Sequence, residues 1–307
     1  MNPAPIYRPP RSHMPDVLLS PDVLTKLETL DFVSRKIFQG HVRGERRSTR
    51  KGRSVEFADY RNYVQGDDLR FVDWNIVARL DRLFVKLFLE EEDLHFYALV
   101  DSSPSMDFGE PTKLQAARQI AAALGFIGLI RSHRVCIETL GQGLRTPSPV
   151  WRGRHNAWRM FEHISAPAPI ERTSLLEGVR NFGLRHPGRG ILVLITDLMD
   201  KQGYEDALRY LSARRFDTYV VHVLSREELQ PDVEGELRLI DAEDEQAVEI
   251  TVGEPLVTAY DRTLKAFLRE AEEFCTRRGL HYVFVDNQSP VEKTISETLR
   301  RRGLLRR

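Results

Sequence analysis

Asp101, Ser103 and Ser105 stand at alternate positions directly after the apolar run Phe96-Tyr97-Ala98-Leu99-Val100. A run of that length bounded by turn residues reads as a buried strand. One carboxylate and two hydroxyls therefore leave its end together. In an open α/β sheet, ligands bind just beyond the carboxyl ends of the strands. An oxygen-only cluster at that place suits a hard divalent cation such as Mg²⁺, which takes near-octahedral oxygen ligation and keeps several waters. Two further positions extend the set. Ile191-Leu192-Val193-Leu194-Ile195 is a second apolar run, ending in Thr196-Asp197. Arg172-Thr173-Ser174 precedes a helical pattern and sets a hydroxyl at its N-cap. If the strands of Asp101 and Asp197 are neighbours, the candidate metal site comprises Asp101, Ser103, Ser105, Thr173 and Asp197.

The elements that must position these residues follow an alternating strand–helix rhythm, which argues for a doubly wound, mostly parallel sheet with helices on both faces. A helix is expected over 112–131, a strand over 134–140, helices over 156–164 and 174–184, and a strand over 190–195. A helix over 204–214 and a strand over 218–224 follow. The acidic stretch 226–253 breaks the rhythm and reads as a hairpin insertion. A long helix over 256–278, a strand over 280–285 and a helix over 291–302 complete the pattern. Ahead of it, residues 1–20 carry five prolines and read as a disordered tail. A helix from Pro21, capped by Ser20, keeps apolar spacing to about Gln39. Residues 83–89 and 94–100 read as a hairpin leading into the Asp101 strand. The expected domains are thus the tail, an N-terminal module over 21–93, the α/β domain over 94–302, and a basic tail over 303–307.

Composition removes several classes of function. Among 307 residues, Lys+Arg and Asp+Glu both number 45, so no global charge points to nucleic acid or an acidic partner. Cys136 and Cys275 are the two cysteines; two isolated thiols make no disulfide framework and fit a reducing compartment. No window approaches the roughly 20 apolar residues that span a bilayer, so the expected protein is cytoplasmic, with no membrane partner. There is no GxxxxGK[ST] phosphate loop, no HExxH and no GxSxG. His133, His155, His163 and His186 are scattered over helix ends and loops and read as surface or partly buried side chains.

The order Asp-x-Ser-x-Ser, then Thr173, then Thr196-Asp197 resembles the metal-ion-dependent adhesion site of von Willebrand factor A domains. The resemblance covers about residues 94–302. It implies that Ser103, Ser105 and Thr173 ligate Mg²⁺ (or Mn²⁺), that Asp101 and Asp197 do so directly or through water, and that an acidic residue of a partner completes the sphere. Residues 52–57, Asp59-Tyr60-Arg61, Tyr63, Gly66-Asp67-Asp68, Asp73-Trp74 and Ala78-Arg79 resemble the signature of the domain of unknown function 58 family. That family's bacterial members carry a von Willebrand factor A-like domain and are associated with MoxR-type AAA+ ATPases. The resemblance implies a metal-dependent adaptor that works with such an ATPase on client proteins, with no catalytic residue of its own. Arg46, Arg47, Arg61, Asp73 and Trp74 are the candidate partner-binding residues.

Two other classes remain open at this level. A Mg²⁺-dependent hydrolase would need a base, for which Asp107 and Asp200 are nearest in sequence, although each also reads as a turn carboxylate. A nucleic-acid binder would use the basic loop 41–53 and the arginines at 300–302 and 306–307, but neutral net charge and the lack of a recognition motif weigh against it. In the aromatic module, Tyr60, Tyr63, Phe71 and Trp74 read either as a satellite core or as a partner-facing platform.

Overall fold

The structure, a computed structural model, describes residues 18–33, 56–89, 94–140, 148–166, 174–232, 235–240 and 247–306. Residues 43–93 form one compact unit, and residues 1–42 with 94–307 form the other.

The larger unit is built on five parallel strands: β4 (His95–Val100), β5 (Arg134–Thr139), β6 (Gly190–Thr196), β7 (Phe216–Leu224) and β10 (His281–Asp286). Their order is β10-β7-β6-β4-β5. The chain runs outward from β4 to β5, then returns to the other side of β4 and winds on through β6, β7 and β10. The direction of winding therefore reverses between β4 and β6. The crossovers are α3 (Lys113–Ile130), α5 (Leu175–Arg185), α6 (Glu205–Ser212) and α8 (Glu254–Arg277), with α4 (Ala157–Ser165) between β5 and α5. This is the expected α/β architecture with a parallel, Rossmann-like sheet.

Alternate residues of the strands enter two cores, as the two-residue period requires. Phe96, Ala98 and Val100 pack on the α3 side, and Tyr97 and Leu99 on the side of α5, α6 and α8. Parallel strands buried on both faces read as continuous apolar runs, and β6 and β7 are buried throughout. Helix α3 is buried along nearly its whole length. Its small residues permit this: a Cβ at Gly128 would meet Val135 Cγ2 at 2.7 Å.

Three expectations are corrected. The first helix does not run to Gln39: α1 spans only Pro21–Leu27, and Asp31–Phe32 form β1, paired antiparallel with β11 (Leu305–Arg306). The pairing buries Phe32, which stacks on Phe96 at 4.8 Å between centroids; tertiary burial here overrides helical periodicity. Second, residues 303–306 are not a free basic tail, since Leu304 and Leu305 belong to the core. Third, residues 83–89 do not form a hairpin with the Asp101 strand. They form β3 (Phe84–Leu89), which pairs antiparallel with β2 (Glu56–Asn62), while β4 joins the parallel sheet. The acidic insertion contains the expected antiparallel pair, β8 (Gly235–Ile240) with β9 (Ala247–Val252).

Within the smaller unit, Asp73 is the organising residue. It caps α2 (Trp74–Leu80), accepting from Asn75 N at 3.0 Å, and its other oxygen accepts from Tyr60 Oη and Lys86 Nζ, each at 2.9 Å. Arg61 grips Asp67 through both guanidinium ends at 2.7 Å, and Asp68 pairs with Arg70. Trp74, in contrast, is 60% exposed. The bonds from Lys86 and Tyr60 lower the Asp73 pKa to about 2. A carboxylate whose folded pKa is depressed stabilises the fold above its unfolded value, about 3.9, and that contribution is lost as pH falls toward the folded one. The unit's unfolding midpoint is therefore expected to fall between pH about 4 and about 2. Asp73→Asn should flatten that slope in an acid titration followed by tryptophan fluorescence; an unchanged slope would remove Asp73 from this role.

Candidate functional site

The site is built where β4 and β6 end side by side. Val100 pairs with Ile195, and Asp101 N donates to Ile195 O at 2.9 Å. The carboxylates of Asp101 and Asp197 thus leave adjacent strands at the same edge, and both are buried. This edge is where the winding reverses, the place at which open α/β sheets leave a crevice.

The loop after β4 is short and internally bonded. Ser103 N donates to Asp101 Oδ1 at 2.9 Å, which folds the chain back over the carboxylate. Ser102 turns away and donates to Leu140 O at 2.9 Å. The hydroxyls of Ser103 and Ser105 consequently face each other at 3.0 Å. Thr196 Oγ1 donates to Asp101 Oδ2 at 2.7 Å and accepts from Leu198 N at 3.1 Å. Asp197 Oδ1 accepts from Met199 N at 3.0 Å. Asp101, Ser103 and Ser105 thus follow β4, and Asp197 follows β6 beside it. Thr173, Arg46 and Arg47 lie outside the described residues, whereas Arg61, Asp73 and Trp74 lie in the smaller unit.

Two residues that the sequence reading passed over complete the cluster. Lys113, the first residue of α3, is fully buried. Its ammonium donates to Asp197 Oδ2 at 2.8 Å and to Glu228 Oε1 at 2.5 Å. Glu228, in the one-turn helix α7 (Arg226–Leu229), is fixed in turn by a capping box: its Oε2 accepts from Ser225 N at 2.7 Å, while its own N–H donates to Ser225 Oγ at 3.1 Å. A lysine in the first turn opposes the helix dipole, which favours anions there. That misplacement, at the head of an otherwise apolar helix, is the signal that marks it.

Electrostatically the cluster holds three carboxylates (Asp101, Asp197, Glu228) against one ammonium. Burial, and then the neighbouring Asp197 charge, push the Asp101 pKa upward. His222, beside Thr196 in the β6–β7 register, adds no positive charge: burial lowers its pKa to about 4, and its Nδ1 meets Tyr282 Oη at 2.8 Å. Two close buried carboxylates with an excess of negative charge, beside a pair of hydroxyl oxygens, fit a hard divalent cation. Asp101, Asp197, Ser103 and Ser105 are the residues that would hold it. Asp200 accepts from Leu175 N at 2.7 Å and Gln202 N at 2.8 Å, tying the start of α5 to the loop, and Asp107 is exposed.

Together these features define a doubly wound α/β protein with an acidic, hydroxyl-lined edge at the reversal of its sheet. Residues 59–271 match the family described as Protein of unknown function DUF58, and the chain belongs to that family. Its relatives include the uncharacterized proteins Mb1516 of Mycobacterium bovis and Rv1480 of Mycobacterium tuberculosis. Each is 28% identical over 270 residues, covering 86% of this chain and 84% of the relative. Two solved structures align with 68% of the chain. One is a conserved hypothetical protein, BatB, from Bacteroides thetaiotaomicron (17% identity, TM-score 0.40, 98% of that chain). The other is an aerotolerance-related membrane protein from Bacteroides fragilis (16% identity, TM-score 0.41, 99% of that chain). The expectation of a cytoplasmic protein is corrected here. No described helix is long and apolar enough to cross a membrane, which is all that the helices say on this point. The lack of such a helix therefore does not assign a compartment.

Proposed function

We propose that this edge is a metal-ion-dependent adhesion site of von Willebrand factor A type, and that the protein is a metal-dependent binding adaptor. The observation that carries the reading is the placement of Asp101 and Asp197 on adjacent strand ends at the winding reversal, with the Ser103 and Ser105 hydroxyls paired on the loop that follows Asp101. Mg²⁺ or Mn²⁺, when bound, supplies positive charge with positions left for water or a partner's carboxylate. Asp101 and Asp197 hold charge in place through their backbone donors, so little reorganisation accompanies binding. Lys113 offsets part of the negative charge and fixes the orientation of Asp197. A client protein would dock an acidic side chain at this edge. Energy for remodelling the client would come from a MoxR-type AAA+ ATPase, consistent with the lack of a phosphate loop in this chain.

The test is affinity capture from native lysate with the tagged protein in Mg²⁺, in EDTA, and with Asp101→Ala. Retention of an AAA+ ATPase or client only with metal, and only by the unmutated protein, is the expected result. Identical partners in all three arms would overturn metal-mediated binding. Ser105→Ala is expected to weaken Mg²⁺ affinity and partner retention together, by about tenfold or more, the scale on which loss of a group supporting a metal site is felt. Partner retention unchanged beside weakened metal binding, read by calorimetry and by capture, would separate the two.

A further inference from the structure

We infer that Cys136, Glu138 and His186 form a second cation site, suited to zinc or another borderline-soft divalent ion. Cys136 and Glu138 lie two residues apart on β5 and so share a face of the sheet. His186 follows the last residue of α5. Glu138 Oε1 lies 3.9 Å from Cys136 Sγ and 2.9 Å from His186 Nε2, and the three ligand atoms all fall within 4.8 Å of one another. A tetrahedral zinc ion with bonds of about 2.0–2.3 Å sets its ligand atoms about 3.3–3.6 Å apart. The 3.9 and 2.9 Å separations reach that geometry by movements of about half an ångström or less.

The surroundings support a ligand role. Arg185 donates to Glu138 Oε2, the oxygen that does not face His186. Ligating carboxylates are characteristically oriented by such an outer hydrogen bond. The imidazole is held between the rings of Phe182 and Tyr97, with centroids at 4.7 and 4.9 Å. Cys136 and Glu138 are buried, while the His186 side chain keeps 15% exposure and gives an approach from solvent. Three protein ligands leave a fourth position for water. A purely structural ion network would need only Glu138, Arg185 and His186, and it leaves Arg185 Nε buried without a hydrogen bond. The Cys136 thiol, which also lies 3.9 Å from Ser148 O, is within ligand reach of both Glu138 and His186.

Binding displaces the Cys136 thiol proton to solvent as the sulfur–metal bond forms, together with any proton that the imidazole carries. The site is separate from the Asp101 edge. Leu175 meets Asp200 at one end of α5 and His186 closes the other, 11 residues and about 16 Å along the helix at 1.5 Å per residue. Its S/N/O ligands also select a softer ion than the oxygen cluster does.

The test is Co²⁺ titration of the untagged, reduced full chain, with zinc as competitor. Expected are a thiolate-to-cobalt charge-transfer band and intense visible bands of tetrahedral cobalt, both erased by zinc. Cys136→Ser should lose the charge-transfer band, and His186→Gln should weaken binding by about tenfold or more. Asp101→Ala should keep both bands. Circular dichroism confirms the fold of each variant, and His186→Gln carries the test if Cys136→Ser does not fold. No charge-transfer band from the folded, unmutated protein, or bands that persist in Cys136→Ser or at full strength in His186→Gln, would overturn the inference.

Discussion

Asp101→Ala is expected to lose Mg²⁺ binding by more than about 100-fold, beyond the range for loss of an outer-sphere partner, while unfolding as cooperatively as the parent. Two opposing effects keep the fold intact. Removing the carboxylate leaves Ser103 N and Thr196 Oγ1 without their acceptor, at about 1–3 kcal/mol for a buried unsatisfied group. It also removes a like charge beside Asp197. The Asp101 pKa is raised in the folded state by burial and by that neighbour. By linkage, an acid with a raised folded pKa stabilises the fold most below its unfolded value and less as pH rises through the folded one. At neutral pH in EDTA its loss is therefore a relief. Calorimetric titration with Mg²⁺ and thermal unfolding in EDTA test both halves. Retained Mg²⁺ affinity would remove Asp101 from the site, and a collapsed midpoint would make it a core residue instead.

Lys113→Met is expected to have the largest effect on stability. The substitution keeps length and apolar bulk but leaves Asp197 and Glu228 buried without their shared counter-charge. Breaking a buried ion pair from one side costs about 3–5 kcal/mol. At about 2–4 °C per kcal/mol for a domain of this size, the midpoint should drop by about 10 °C in EDTA. Millimolar Mg²⁺ should recover part of the loss, because a ligand at 100 times its dissociation constant stabilises by about 2.7 kcal/mol. A midpoint within a degree or two of the parent would show that Lys113 is not the balancing charge.

Asp101, Ser103, Ser105 and Asp197 were legible because each follows an apolar run whose strand character is local. Their adjacency was legible only conditionally, since nothing local decides which strands pair. The alternation of strands and helices carried the parallel sheet for the same local reason. Lys113 and Glu228 were hidden because they meet across 115 positions, and a lysine at a helix start reads as solvated. His186 was read as a scattered histidine because its partners lie on β5. The β1–β11 pair escaped notice for a related reason: two-residue strands have no periodicity, and Leu30, Val33 and Ile37 carry the helical spacing of the preceding segment past it. The β2–β3 hairpin was missed because residues 83–89 had an apolar neighbour nearer in sequence.

The β1–β11 pair also fixes how the larger unit would respond to mechanical load. Asp31, where the chain enters β1, faces Arg306, where it leaves β11, and Val33 N bonds Leu304 O one step further in. Tension drawn outward through residues 30 and 307 would meet these rungs one after another, as in opening a zipper. Such rungs yield singly and at low force. The strands of the central sheet are joined side by side along five or more paired residues, so sliding one past another would break many bonds at once. An outward pull would thus release the edge first, with Phe32 leaving its stack on Phe96, while the Asp101–Asp197 edge stays assembled.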